Sequence, residues 1–347
     1  MPWFRRLKPA ATHRIALRAM NCVPTVKRIA LKAYGKINLE LAVLGRRPDG
    51  YHELRTIFQT ISLADRLEVR LSPGRREVRL ETTGCEVPAG KSNLAVQAAE
   101  SALAELKLRA RIEITLDKRI PPASGLGGAS SDAAAVLRAV ALLSGRRLPA
   151  DRLLRLAAAL GSDVPFFLYG GRAIGLGRGE EVYPLPEESR RHCVLFFPGE
   201  GMSTAEAYLS LKRPPLTPQT AGPRIDWADE INLFCSAVNE SLESASNAKR
   251  RSGGSYRKIG NDFEPPVFRR FPVLAQAKKI LLQAGAEAAS LSGSGSAVYG
   301  LFRDSSKARR ATQQLQGRAK HVFLVRTVSR REFEAEFRVP AGRAAFP

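Results

Sequence analysis

The stretch Pro122-Ala123-Ser124-Gly125-Leu126-Gly127-Gly128-Ala129-Ser130-Ser131, followed at once by Asp132-Ala133-Ala134-Ala135-Val136-Leu137, decides how this chain is read. Before it, Ile112, Ile114, Leu116 and Ile120 keep to even positions while Arg111, Glu113, Thr115, Asp117 and Arg119 take the odd ones, the period of a half-buried strand. After it, Ala133, Val136, Leu137, Val140 and Leu143 follow helical spacing. A strand, a glycine-rich turn and a helix in that order can hold phosphate. The glycines let backbone N–H groups converge on an anion, and the first helical turn adds unpaired N–H groups and its positive dipole end. Ser130 and Ser131 can add hydroxyls. The competing reading is a flexible Gly/Ser linker, and the flanking strand and helix weigh against it. No Gly-Lys-Ser/Thr follows, so this is not the common P-loop, and Gly125, Gly127 and Gly128 do not form G-x-G-x-x-G. The leading expectation is a nucleotide-using enzyme.

A chain of 347 residues suits two domains, and 44% hydrophobic residues suffice for ordinary cores. No long uninterrupted apolar run is present, so a membrane span is not expected. Cys22, Cys85, Cys193 and Cys235 are scattered without a Cys-x-x-Cys pair, which points to reduced thiols in a cytoplasmic protein and away from zinc. The net charge of +22 favours anionic partners. Much of it sits in the ends and loops, however, where a solvated surface is the commoner explanation. Residues 1–28 are basic and acid-free. They read as a disordered extension or a misassigned start, with organelle (plastid) targeting the lesser alternative.

From Ile29 to Leu44 the apolar residues alternate cleanly, leaving Lys36, Asn38 and Glu40 together on the polar face of a long strand that can bend at Gly35. Pro48-Asp49-Gly50 is a turn signal. Further strands are expected at 54–63, 67–71, 193–197, 297–302 and 321–328. Helices are expected from Ser92 or Asn93 to about Lys107, at 151–160, and near 203–211, 231–243, 272–285 and 305–316. A change of character at 186–192 marks the boundary between a first domain, 29–188, and a second, 189–336, with a tail at 337–347. Gly175-Leu176-Gly177-Arg178-Gly179 reads as a tight turn, and Ser292-Gly293-Ser294-Gly295-Ser296 as a second glycine loop.

Lys36-Ile37-Asn38-Leu39, Arg47-Pro48-Asp49-Gly50-Tyr51-His52-Glu53, the 122–131 stretch, Gly161-Ser162-Asp163-Val164-Pro165 and Ser292-Gly293-Ser294-Gly295 together resemble the GHMP kinase superfamily, in order and over about 29–328. Within it, the Asp-Gly-Tyr-His and Ser-Asp-Val-Pro motifs are similar to those of the members that phosphorylate a cytidine diphosphate derivative of methylerythritol. The resemblance implies a two-domain α+β fold. Its first domain would be like ribosomal protein S5 domain 2, its second ferredoxin-like, with the active site between them. It also implies an ATP-dependent kinase of a small molecule, with Mg²⁺, acting as a monomer or weak homodimer, with no membrane partner and no nucleic acid.

By the same resemblance Asp163 is the expected general base and Lys36 the second catalytic residue. On residue type alone, a helix cap is the commoner role for Asp163 before Pro165, and an exposed strand face the commoner place for Lys36. Asn93 and residues 122–131 are expected on ATP. Asn38, Tyr51, His52, Thr204, Tyr208, Gly293 and Ser294 are expected on the acceptor, with Tyr51 and His52 stacking on and hydrogen-bonding a nucleobase. A Tyr-His pair that merely packs a turn is the alternative. No acidic cluster announces a metal site, Ser130 being one possible ligand. Other GHMP kinases, acting on homoserine, mevalonate or a sugar, and a basic nucleic-acid-binding protein are the rival readings.

Overall fold

The computed structural model describes residues 26–216 and 260–337. The expected helix at 231–243, the 245–258 stretch, most of the basic extension and most of the tail lie outside these. Lys27 and Arg28, assigned above to the extension, open the first strand.

The first domain is a sheet covered by helices. β1 (Lys27–Arg46) and β2 (His52–Pro73) form a long antiparallel pair, and β2 also pairs β4 (Ala110–Lys118) and β5 (Arg172–Leu176). β3 (Glu77–Gly84) lies parallel to β4, and β6 (Glu181–Pro184) edges β5. The two patterns expected at 54–63 and 67–71 are one strand, because β2 continues through the polar residues between them to pair with β1 along its length. The register slips between Tyr34 and Lys36, a bulge next to Gly35.

Helix α1 (Leu94–Glu105) starts where Asn93 caps it, its side chain accepting from Ala95 N at 2.9 Å. Helix α2 (Gly128–Ser144) begins at the glycine loop itself. Ala133, Ala134, Ala135 and Ala139 are all buried, and these small side chains let α2 approach α1 and the sheet closely. Helices α3 (Ala150–Leu160) and α4 (Phe166–Tyr169) complete the layer.

The second domain is a four-stranded antiparallel sheet of β7 (His192–Phe197), β8 (Ala288–Leu291), β9 (Val298–Phe302) and β10 (His321–Arg326), in the order β10-β7-β9-β8, the ferredoxin-like arrangement. It is accompanied by α5 (Thr204–Ser210), α6 (Glu264–Arg270), α7 (Pro272–Gln283) and α8 (Ser305–Leu315). A capping box between Ser203 and Glu206 starts α5. The last described helix, α9 (Arg330–Ala335), returns to the first domain, where Phe333 is buried in the core beside Gly170.

A third apolar cluster lies between the domains. It joins Ile37 and Leu39 of β1, Ile120 and Leu126 of the loop region, and Leu195, Tyr299 and Leu301 of the second sheet. Tyr299 donates its hydroxyl to Asn38 O at 3.0 Å. Alternation along β1 therefore has a positional consequence: Ile37 and Leu39 face the second domain while Lys36 and Asn38 face a cleft. Among the described residues no helix is long and apolar enough to cross a membrane.

Candidate active site

A cleft of about 860 Å³ opens where the two domains meet. Its walls collect residues from far apart in the chain, including Lys36, Asn38, Tyr51, His52, Asn93, Asp163, Arg178, Thr204, Tyr208, Gly293 and Ser294.

One half is made mostly of backbone. Gly125 and Gly127 adopt φ of +77° and +74°, the left-handed region that favours glycine. A Cβ on Gly125 would lie 2.0 Å from Ser292 O, so the first glycine loop is pressed against the second. Ser292 Oγ donates to Gly125 O at 3.0 Å, and Ala297 N donates to Ser124 O at 2.9 Å. Gly127 caps α2, whose free N–H groups open toward the cleft wall formed by Gly128, Ala129 and Ser130. Pro122, Ala123 and Ser124 line the same wall.

Two members of the stretch turn away. Leu126 is buried in the interdomain cluster, with its carbonyl accepting from Lys36 N at 2.9 Å. Ser131 spends its hydroxyl on Tyr34 O at 2.7 Å and is buried, because α2 carries it onto the sheet side. Asn93 reaches the cleft edge while its side chain caps α1 and donates to Pro88 O at 2.9 Å.

At the centre, Lys36 Nζ lies 3.4 Å from Asp163 Oδ2. The lysine side chain is only 3% exposed, against 34% for the carboxylate. This is not the surface lysine that the polar face of a strand leads one to expect; the second domain and the loop enclose it. Lys36 Nζ donates to Asn38 Oδ1 at 2.7 Å, Asn38 Nδ2 to Thr56 Oγ1 at 2.7 Å, and Thr56 Oγ1 to Glu40 O at 2.6 Å. That chain fixes the ammonium. Asp163 does not cap α4, whose capping position is Pro165 with no side-chain bond.

The other half is made of side chains. His52 stacks on Tyr208, with ring centroids 4.7 Å apart, and Tyr208 meets Phe263 edge-on at 4.9 Å. Tyr51, 53% exposed, faces the Arg178 guanidinium at 4.6 Å. Neighbouring residues entering a strand point to opposite sides, so Tyr51 and His52 take different partners instead of forming one platform. Thr204 Oγ1 and Ser294 Oγ are 3.3 Å apart, joining the start of α5 to the second glycine loop. Burial, with help from Arg46, lowers the pKa of His52, and burial raises that of Tyr208.

Four residues at or beside the cleft are not among the expected site residues. Arg178 stands in the Gly175–179 turn, noted only as a turn. Asn261 donates to Leu291 O at 2.9 Å and Gly293 O at 2.7 Å, and so holds the second glycine loop. Lys118 and Asp132 meet below the first loop at 2.7 Å. Lys118 had a signal: it occupies an even position of β4, the buried side of the alternation, where a charge requires a partner. Burial opposes its charge, but Asp132 and Asp65 outweigh that and raise its pKa, while burial raises that of Asp132.

The profile for the GHMP kinases N terminal domain matches residues 93–171, and that for the GHMP kinases C terminal domain matches 236–321. A 4-diphosphocytidyl-2-C-methyl-D-erythritol kinase of Solibacter usitatus is 44% identical over 90% of this chain and 93% of its own. One from Moorella thermoacetica is 44% identical over 86% of this chain and 99% of its own. A crystal structure of 4-(cytidine 5'-diphospho)-2C-methyl-D-erythritol kinase superposes with TM-score 0.66 at 34% identity, covering 86% of this chain and 99% of that one. A homoserine kinase from Cytophaga hutchinsonii, at 21% identity, TM-score 0.62 and coverage of 87% and 95%, shares the fold.

Proposed function

The chain belongs to the 4-diphosphocytidyl-2-C-methyl-D-erythritol kinase family of the GHMP kinases, and from that membership we propose how its cleft carries out the reaction. The protein phosphorylates 4-diphosphocytidyl-2-C-methyl-D-erythritol with ATP, in the methylerythritol phosphate pathway to isoprenoid precursors. The observation that carries the residue assignment is the Lys36–Asp163 pair, 3.4 Å apart between a backbone-lined and an aromatic-lined half of one cleft.

ATP lies along the 122–131 loop, with its phosphates on the N–H groups at the start of α2 and its base toward Asn93. The cytidine diphosphate part lies against Tyr51, His52, Thr204, Tyr208, Gly293 and Ser294, bringing the 2-hydroxyl to Asp163. Asp163 takes the hydroxyl proton as the oxygen attacks the γ-phosphorus and ADP leaves. The Lys36 ammonium, anchored by Asn38, faces the charge that develops between the attacking oxygen and the phosphoryl group.

Mg²⁺ bound with ATP supplies charge neutralisation on the triphosphate. Ser130, on the cleft wall, would hold it. A donor set of one hydroxyl and phosphate oxygens suits an ion that keeps several waters.

The test is ADP release by the purified protein with Mg-ATP and, in turn, 4-diphosphocytidyl-2-C-methyl-D-erythritol, homoserine and mevalonate. Turnover of the cytidyl compound alone is expected. Turnover of mevalonate or homoserine in its place would overturn the acceptor assignment.

A further inference from the structure

The 122–131 loop has a neck, and a buried charge cluster closes it. Asp65, wholly buried on β2, accepts from Arg119 N at 2.6 Å and Ile120 N at 2.8 Å through Oδ1, and its Oδ2 accepts from the Lys118 ammonium. The same ammonium donates to Asp132 Oδ2 at 2.7 Å. Residue 118 precedes the loop and residue 132 follows it, so one ammonium ties the entry to the exit. Side-chain exposures are 3% for Lys118, 0% for Asp65 and 4% for Asp132. A Cβ on Gly128 would come within 3.1 Å of Lys118 Nζ, which places the charge directly beneath the start of α2.

We propose that Asp65, Lys118 and Asp132 form a clasp that holds the loop's neck at the width its N–H groups need to meet the nucleotide phosphates, with Asp65 as a positioning residue. Asp65 does not line the cleft, so it acts through Lys118 and through the two N–H groups it fixes. Buried ion pairs give back little stability for the desolvation they cost. Their position at the loop neck, bonded to both limbs, gives the cluster a geometric task. The proposal rests on the reading of this loop as the ATP site.

Charge and position predict opposite signs. Two carboxylates against one ammonium leave net negative charge beside an anion site, so removing a carboxylate should tighten nucleotide binding if only charge mattered. Loosening the neck should weaken it.

The experiment is calorimetric binding of ADP and, separately, CDP to folded full-length variants, with KM for both substrates. Asp65→Ala is expected to weaken ADP and raise the KM for ATP roughly tenfold, with CDP changed by less than about twofold. Asp65→Asn keeps an oxygen for Arg119 N and Ile120 N, and should stay within about threefold of the parent for ADP. If Asp65→Ala does not fold, Asp132→Ala releases the opposite limb and should show the same selective loss. Unchanged or tighter ADP binding, equal weakening of ADP and CDP, or an Asn variant as poor as the Ala variant would each overturn the clasp. Ala129→Trp, which fills the loop mouth, separates the premise: ADP retained there would displace the nucleotide from this loop, whatever Asp65 does.

Discussion

The two halves of the cleft, proposed to hold the donor and the acceptor, are built by different means. The donor half uses main chain: glycines with positive φ, the start of α2 and two loops pressed together. The acceptor half uses side chains: a His52–Tyr208 stack, Tyr51 beneath Arg178, and the Thr204–Ser294 hydroxyl pair. A main-chain cradle grips phosphate, which many nucleotides share, whereas a set of side chains can read one base. Discrimination should therefore sit in the acceptor half, and a change in one half should leave the other's affinity alone.

The largest expected effect strikes the junction. Asp163→Asn keeps shape and removes the proposed base, and kcat should fall by about 10²- to 10⁴-fold with both KM values within a few-fold. Steady-state kinetics on a variant of unchanged Tm checks this. Near-normal turnover would take Asp163 out of the chemistry and leave the two halves without a common centre.

Gly125→Val attacks the donor half through its backbone. With φ at +77° and a Cβ 2.0 Å from Ser292 O, the side chain must part the two glycine loops. A loss of about 3 kcal/mol or more is expected, read as a lower Tm. Any folded fraction should lose ADP before CDP. The reverse order would break the division.

Tyr208→Ala probes the acceptor half. Losing an aromatic stacking partner is worth about 1–3 kcal/mol, so the KM for the cytidyl substrate should rise roughly 5- to 150-fold while that for ATP holds. Tyr208→Phe, which keeps the ring against His52 and Phe263, should be close to neutral.

The smallest effect is on pH dependence. Burial and Arg46 push the His52 pKa below its ordinary 6.5, so the neutral ring persists to lower pH than in an exposed histidine. As pH falls through 6.5 the unfolded chain takes up the proton first. The stability that goes with neutral His52 is thus full above 6.5 and is lost progressively as pH falls from there through the lower folded value. The KM for the cytidyl substrate should be flat from neutral down to 6.5 and rise below it, a rise that His52→Gln should abolish.

The same contrast governs what was legible beforehand. Donor-side elements are local in the chain: β4, the loop and α2 are consecutive, and their periods of two and then three to four residues place the loop on a helix start. The acceptor side gathers residues 51, 52, 204, 208, 293 and 294, and only family resemblance linked them. Strand alternation put Lys36 and Asn38 on one face; it carried no information that the second domain would bury that face. Arg178 and Asn261 act through neighbours distant in sequence, and no local pattern marks them.

By itself the sequence determined the local elements, the glycine turn that opens α2 and, through its ordered motifs, the kinase family, because hydrophobic period, glycine spacing and motif order are properties of neighbouring residues. The tertiary structure alone decided that Lys36 is enclosed and faces Asp163, that the two glycine loops support each other, that Ser131 and Leu126 turn inward, and that Asp65 reaches the loop's neck. Those outcomes depend on packing and on burial of charge between segments far apart in the chain, where the free energy of a side chain is set by what folds against it.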